Sequence, residues 1–205
     1  MIIIILCVLP TSVYSYSDEQ IKVFAPWQDG DKTIRVVILN EAGISNDKMD
    51  IIKKVILSDV SYQINGQTYF EGWSGALDSI STDKVKRFEI SESKRYIPAD
   101  ISIILLNESN AEYNGLTKPI FDGNHVISAT IQIFAAHSLS SSQLENLLRH
   151  EFGHALGLGH STYEGSVMYP TMSSTAKKFI SECDLEGLKA AHAGQTFIDI
   201  RCSQA

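Results

Sequence analysis

Hydrophobic and polar positions alternate with different periods along the chain. Met1 to Leu9 are uninterruptedly apolar, and Pro10 ends the run. Nine residues fall short of the roughly 20 that a bilayer-spanning helix needs, but they suit the apolar region of an export signal. Thr11 to Ser15 supply small residues for cleavage. Residues 1–15 are therefore expected to be a signal peptide and 16–205 a single domain. No Lys or Arg precedes the apolar run; a buried N-terminal strand and an uncleaved membrane tether are the competing readings.

The remaining pattern predicts an alternation of strands and helices. Thr33 to Leu39 is β-branched and apolar, a strand ending at Asn40. Met49, Ile52, Val55 and Ile56 share one face of a helix capped by Asp47 and running to about Val60. Tyr62 to Ser81, rich in Gly, Ser and aromatic residues, reads as irregular. Val85 to Ile90 reads as a strand, and Ile101 to Leu106, continuously apolar, as a central buried one. Asn107 to Asn124 carries turn residues and few apolar ones, so a long loop is expected, followed by a strand over Val126 to Phe134. Helices are predicted from Ser140 to about Leu156 and from Ser181 to His192. Such an order belongs to an α+β or α/β sheet domain.

Composition narrows the function classes. Of 205 residues, 17 are Lys or Arg and 24 are Asp or Glu, a net charge of -7. An acidic chain without a basic stripe is a poor nucleic-acid binder. Lys84, Lys86, Arg87, Lys94 and Arg95 are interrupted by Glu89 and Glu92 and read as a solvated strand face. The three cysteines form no Cys-x-x-Cys pair, which rules out a cysteine-built zinc finger and a thioredoxin-type site. Cleavage of a signal would remove Cys7 and leave Cys183 and Cys202, which an oxidising compartment could bridge or leave as two thiols.

The chemistry concentrates in His150-Glu-Phe-Gly-His154-Ala-Leu-Gly157-Leu-Gly-His160. On a helix, side chains four apart stack about 6 Å along the axis, so His150 and His154 can share one zinc. Glu151 lies about 100° around the helix, within reach of a water at the metal. In an unbroken helix His160 would lie about 15 Å from His150. The chain must therefore turn, and Gly157 stands where a left-handed residue would end the helix. Three histidines leave a fourth metal position to water, as in catalytic zinc sites. His125, His137 and His192 lack such spacing and receive no role.

This stretch resembles the metzincin signature His-Glu-x-x-His-x-x-Gly-x-x-His. Ser166-Val-Met168-Tyr-Pro170 resembles the methionine turn of that clan and is most similar to matrixins, the matrix-metalloproteinase group. Pro170 occupies the position at which astacin-type and serralysin-type members carry a tyrosine ligand, so no such ligand is expected. Ala99 to Ile103 is similar to a matrixin core strand. Ser181 to Leu188 resembles the start of the last matrixin helix, with Ser181 and Asp184 as a capping box.

The resemblance implies an α+β fold: a twisted mixed sheet packed on an N-terminal helix and the active-site helix, with a small C-terminal subdomain carrying the methionine turn and last helix. It implies a secreted zinc metalloendopeptidase, with Met168 as an apolar floor and Tyr169, Pro170, Thr171 and Met172 as pocket wall. A polypeptide substrate is expected along an edge strand near Ile127 to Ile133. Calcium is a possible second ion at Asp29-Gly30-Asp31 or Asp122-Gly123-Asn124, although each also reads as a turn. No cysteine-switch segment is recognised before Trp27. A monomer is favoured. The rival functions are a zinc-stabilised binding module without catalysis and a zinc amidase acting on a non-protein substrate.

Overall fold

The computed structural model describes residues 19–27, 33–80, 87–171 and 178–203. The apolar N-terminal run, the expected signal peptide, Asp29 to Asp31, Lys84, Lys86 and Met172 lie outside them.

Five strands form the main sheet: β2 (Ile34–Asn40), β5 (Phe88–Ser93), β6 (Ile101–Leu105), β7 (Gly115–Asp122) and β8 (His125–Ile133). Their spatial order is β5-β2-β6-β8-β7. All neighbours are parallel except β7, which runs antiparallel to β8 along the edge. The apolar run Ile101 to Leu105 takes the centre, as a strand covered on both faces must. One face of the sheet is covered by α1 (Asn46–Leu57) and α3 (Ser141–Ala155), which also pack on each other. Met49, Ile52, Val55 and Ile56 are the buried side of α1, as their spacing predicts. Its N-cap is Ser45, not Asp47, which sits in the first turn, where a carboxylate interacts favourably with the positive end of the helix dipole.

The second part of the molecule is C-terminal in emphasis but borrows the first described strand. β1 (Gln20–Val23) is flanked by β9 (Leu158–Ser161) and β10 (Ile198–Arg201), antiparallel to both. Against this sheet packs α4 (Glu182–His192), opened by the Ser181/Asp184 capping box. Cys183 on α4 and Cys202 just past β10 form a disulfide, with Cα atoms 4.9 Å apart.

Three expectations need correction. The described part of the stretch expected to be irregular, Tyr62 to Ile80, is regular: β3 (Ser61–Ile64) and β4 (Gln67–Phe70) form a hairpin, and α2 (Trp73–Ile80) follows. The hairpin turns on Asn65-Gly66, both with positive φ, the pair that two-residue turns favour. Asn107 to Asn124 is not one long loop, because β7 occupies its second half. Pro119 is tolerated there because an edge strand has one side without ladder partners. Ile127 to Ile133 consequently belongs to an interior strand, and the edge strand on that side of the sheet is β7. Asp122-Gly123-Asn124 makes the β7–β8 turn, with Gly123 at φ +57°, and joins no metal-ligating cluster among the described residues.

Candidate metal centre

From Leu144 to its end α3 is buried on every side apart from the half-buried Glu145 and His154. Ser140 caps it through a reciprocal capping box with Gln143. Leu144, Leu147, Leu148, Phe152 and Ala155 fill the core. Both tryptophans of the chain grip its backbone: Trp27 Nε1 donates to the Ala155 carbonyl at 2.7 Å and Trp73 Nε1 to that of Arg149 at 3.1 Å. The helix stops at Gly157, whose φ of +96° suits glycine. A Cβ there would lie 1.9 Å from the Ala25 carbonyl oxygen, so close approach to the β1 segment also demands glycine.

After that turn β9 carries His160 back beside His150 and His154. The three imidazoles offer ligand atoms that all lie within 4.8 Å of one another. His150 Nδ1 lies 2.8 Å from the Val167 carbonyl, and His154 Nδ1 lies 2.8 Å from the Leu158 carbonyl. A carbonyl oxygen only accepts, so each Nδ1 carries the proton and each Nε2 presents a lone pair. Those two Nε2 atoms are 3.1 Å apart. Two lone pairs at that distance cannot hydrogen-bond each other. Two nitrogens about 2.0–2.1 Å from one tetrahedral zinc would be about 3.3 Å apart, so the donor set fits zinc. Burial holds both imidazoles neutral, depressing His150 to about 4 and His154 to about 3. His160, more exposed, is also lowered by partial burial.

Glu151, itself buried, stands next to this cluster. Thr117 Oγ1 on β7 donates to its carboxylate at 2.7 Å. Burial raises the carboxyl to about 7, with the Thr117 hydrogen bond pulling the other way. Gly115 makes room for it: a Cβ at that position would come within 2.6 Å of Glu151 Oε1. Gly115 and Thr117 escape notice in the sequence because their segment reads as a loop.

The methionine turn closes the floor. Met168 is fully buried, and Gly153 on α3 lets its sulfur approach, since a Cβ there would be 2.3 Å from Met168 Sδ. Beneath the turn, buried Asp184 accepts from Ser166 Oγ at 2.5 Å, Ser181 N at 2.7 Å and Val167 N at 3.3 Å. Val167 in turn offers its carbonyl to His150. Asp184, read from sequence only as a cap residue, thus links the last helix to a metal-site histidine.

An open cleft of about 580 Å³ runs past the three histidines and Glu151. Its walls include Pro170 and Thr171, and Asn114 to Thr117 and Pro119 from the β7 side. Tyr169 does not line it; its ring lies 5.1 Å from the Lys178 ammonium. His125, His137 and His192 are exposed and lie outside the cluster.

A family model described as matrixin matches residues 24–193, and the chain belongs to that family. It is similar to the metalloendoproteinase 2-MMP of Arabidopsis thaliana, 39% identical over 69 residues that make up 33% of this chain and 18% of the relative. The interstitial collagenase of Bos taurus is 43% identical over 56 residues, 26% of this chain and 12% of that protein. Matrix metalloproteinase-18 of Xenopus laevis is 54% identical over 41 residues, 18% and 9% of the two chains. The matched stretches thus cover less than a fifth of each of these relatives.

Proposed function

We propose that the chain is a zinc-dependent endopeptidase that cleaves polypeptides with Glu151 as general base. The observation that carries this reading is the convergence of three neutral imidazoles beside a buried carboxylate in an open cleft. Membership of the matrixin family and the metalloendoproteinase names of the relatives support it. His150, His154 and His160 would hold the metal. Zinc bound there would supply a Lewis acid and lower the pKa of a water.

The residues of the chain do the rest. Val167 and Leu158 fix the tautomers that turn both Nε2 atoms toward the metal position. Thr117 aims the Glu151 carboxylate. With its pKa raised to about 7, Glu151 is poised to take a proton from the attacking water and return it to the leaving amine near neutrality. The unpaired outer edge of β7 would bind the substrate as an added strand, next to Glu151. Residues 16–205 would act as one exported domain, with the apolar N-terminus as its signal. No described helix is long and apolar enough to cross a membrane.

The test is Glu151→Gln. Peptide hydrolysis should fall by at least about 100-fold, the scale of a lost general base, while one zinc per chain is retained. Undiminished cleavage by this variant would sink the assignment. Zinc bound without chelator-sensitive cleavage of any unfolded protein by the parent would favour a binding module.

A further inference from the structure

The family match ends at residue 193, yet the chain continues into an ordered strand, β10, paired to β1 and tied to α4 by Cys202. On the way the tail makes an unusual residue of Phe197. Its φ is +51°, a conformation that costs a bulky side chain energy, and its ring is 65% exposed. Neither feature serves the core. Its backbone N–H donates to the Phe24 carbonyl at 3.0 Å, and Phe24 lines the active-site cleft. Its ring lies 6.4 Å, centroid to centroid, from that of Phe121, itself 39% exposed.

Phe121 belongs to the same strand edge that flanks Glu151. Side chains two apart on a strand share a face. The row Gly115, Thr117, Pro119, Phe121 therefore starts at the Glu151 carboxylate, lines the cleft as far as Pro119 and, just beyond that lining, sets Phe121 against the Phe197 ring. The register slip between β7 and β8 does not break the row, because its extra residue, Ile127, is on β8. From Thr117 to Phe121 is four residues, or about 13 Å of strand.

We propose that Phe121 and Phe197 form an aromatic subsite at the end of the cleft, taking an apolar side chain of a polypeptide substrate about four residues from the scissile bond. The inference rests on the peptidase reading and adds to it a specificity determinant supplied by the tail. An extended peptide paired to β7 would pass over this ring pair. Strained, exposed aromatic residues beside a reactive cleft are where binding selectivity is expected to reside.

Fluorogenic peptides that differ only by Leu or Asp four residues from the cleaved bond, on one side or the other, test the idea with the zinc-loaded enzyme. On the side that β7 runs toward, Leu should be preferred by about tenfold in kcat/KM, mostly through KM. Phe197→Asn removes the ring while tolerating the left-handed backbone, and should cut that preference below about twofold, as should Phe121→Ser. Phe197→Tyr should keep it. The preference is a ratio within one preparation, so any misfolded fraction cancels. Cleavage of both peptides with the same Leu/Asp ratio in parent and variants overturns the subsite alone. Failure of the parent to cleave either peptide overturns the peptidase reading and the subsite with it.

Discussion

Single residues carry the metal centre. A neutral imidazole is the ligand form, so metal affinity falls as histidine protonates. His150 and His154 are depressed to about 4 and about 3 by burial, so at pH 6 they remain neutral. Three ordinary imidazoles with pKa near 6.5 would lose about 50-fold in affinity between pH 7.5 and 6. This site is expected to lose less than about fivefold, because burial keeps His150 and His154 neutral and lowers His160 as well. Chelator competition at the two pH values measures the difference, and a loss near the larger figure would contradict the burial argument. Gly157 is the second residue-scale case. In Gly157→Ala the new methyl would meet the Ala25 carbonyl oxygen at 1.9 Å, a backbone atom that cannot rotate aside, in a left-handed conformation. We expect about 3 kcal/mol or more of lost stability in urea unfolding, and weaker zinc binding as His160 shifts.

Among the elements, α3 is held by a charge that contacts neither metal nor cleft. Arg149 has no exposed surface; its Nε donates to the Glu71 carbonyl at 2.7 Å, its Nη1 to that of Lys178 at 3.1 Å, and its Nη2 pairs with Glu145. Arg149→Met would fill much of the space but remove the guanidinium hydrogen bonds to the Glu71 and Lys178 carbonyls and the ion pair with Glu145. A loss of about 3 kcal/mol or more is expected in the zinc-loaded protein; a change under about 1 kcal/mol would mean that the guanidinium is dispensable. Legibility also divides by element. The buried face of α1, the central strand Ile101 to Leu105 and the whole of α3 follow from local periodicity, because each buries a face whose residues lie close in sequence. The three histidines were legible for the same reason, with glycine marking the turn between the second and third. β7 was not legible: its alternation is blurred by Lys118, Pro119 and Asp122, and an edge strand with exposed residues needs no clear apolar face. Its role in holding Glu151 depends on a contact across 34 positions. The Asn65-Gly66 turn, by contrast, was a readable hairpin signal obscured by its mostly exposed flanking strands.

At the scale of the whole molecule, the first described strand, β1, pairs with the last, β10, and the Cys183–Cys202 disulfide fastens that pair to α4 across a sequence separation of 19. Closing a loop of that size is worth about 3 kcal/mol in the chain-entropy account. Guanidinium unfolding with and without a reductant, or of Cys183→Ser/Cys202→Ser, should show a difference of that order. Two alkylatable thiols in the purified protein would show instead that the bridge does not form. The molecule also carries an optical gauge. Its two tryptophans occupy different segments, yet each spends its indole N–H on a carbonyl of the active-site helix, one near its middle and one at its last residue. Emission excited selectively from tryptophan therefore comes wholly from indoles bonded to the helix that bears His150, Glu151 and His154, and the unlabelled protein reports the integrity of that helix by its own light.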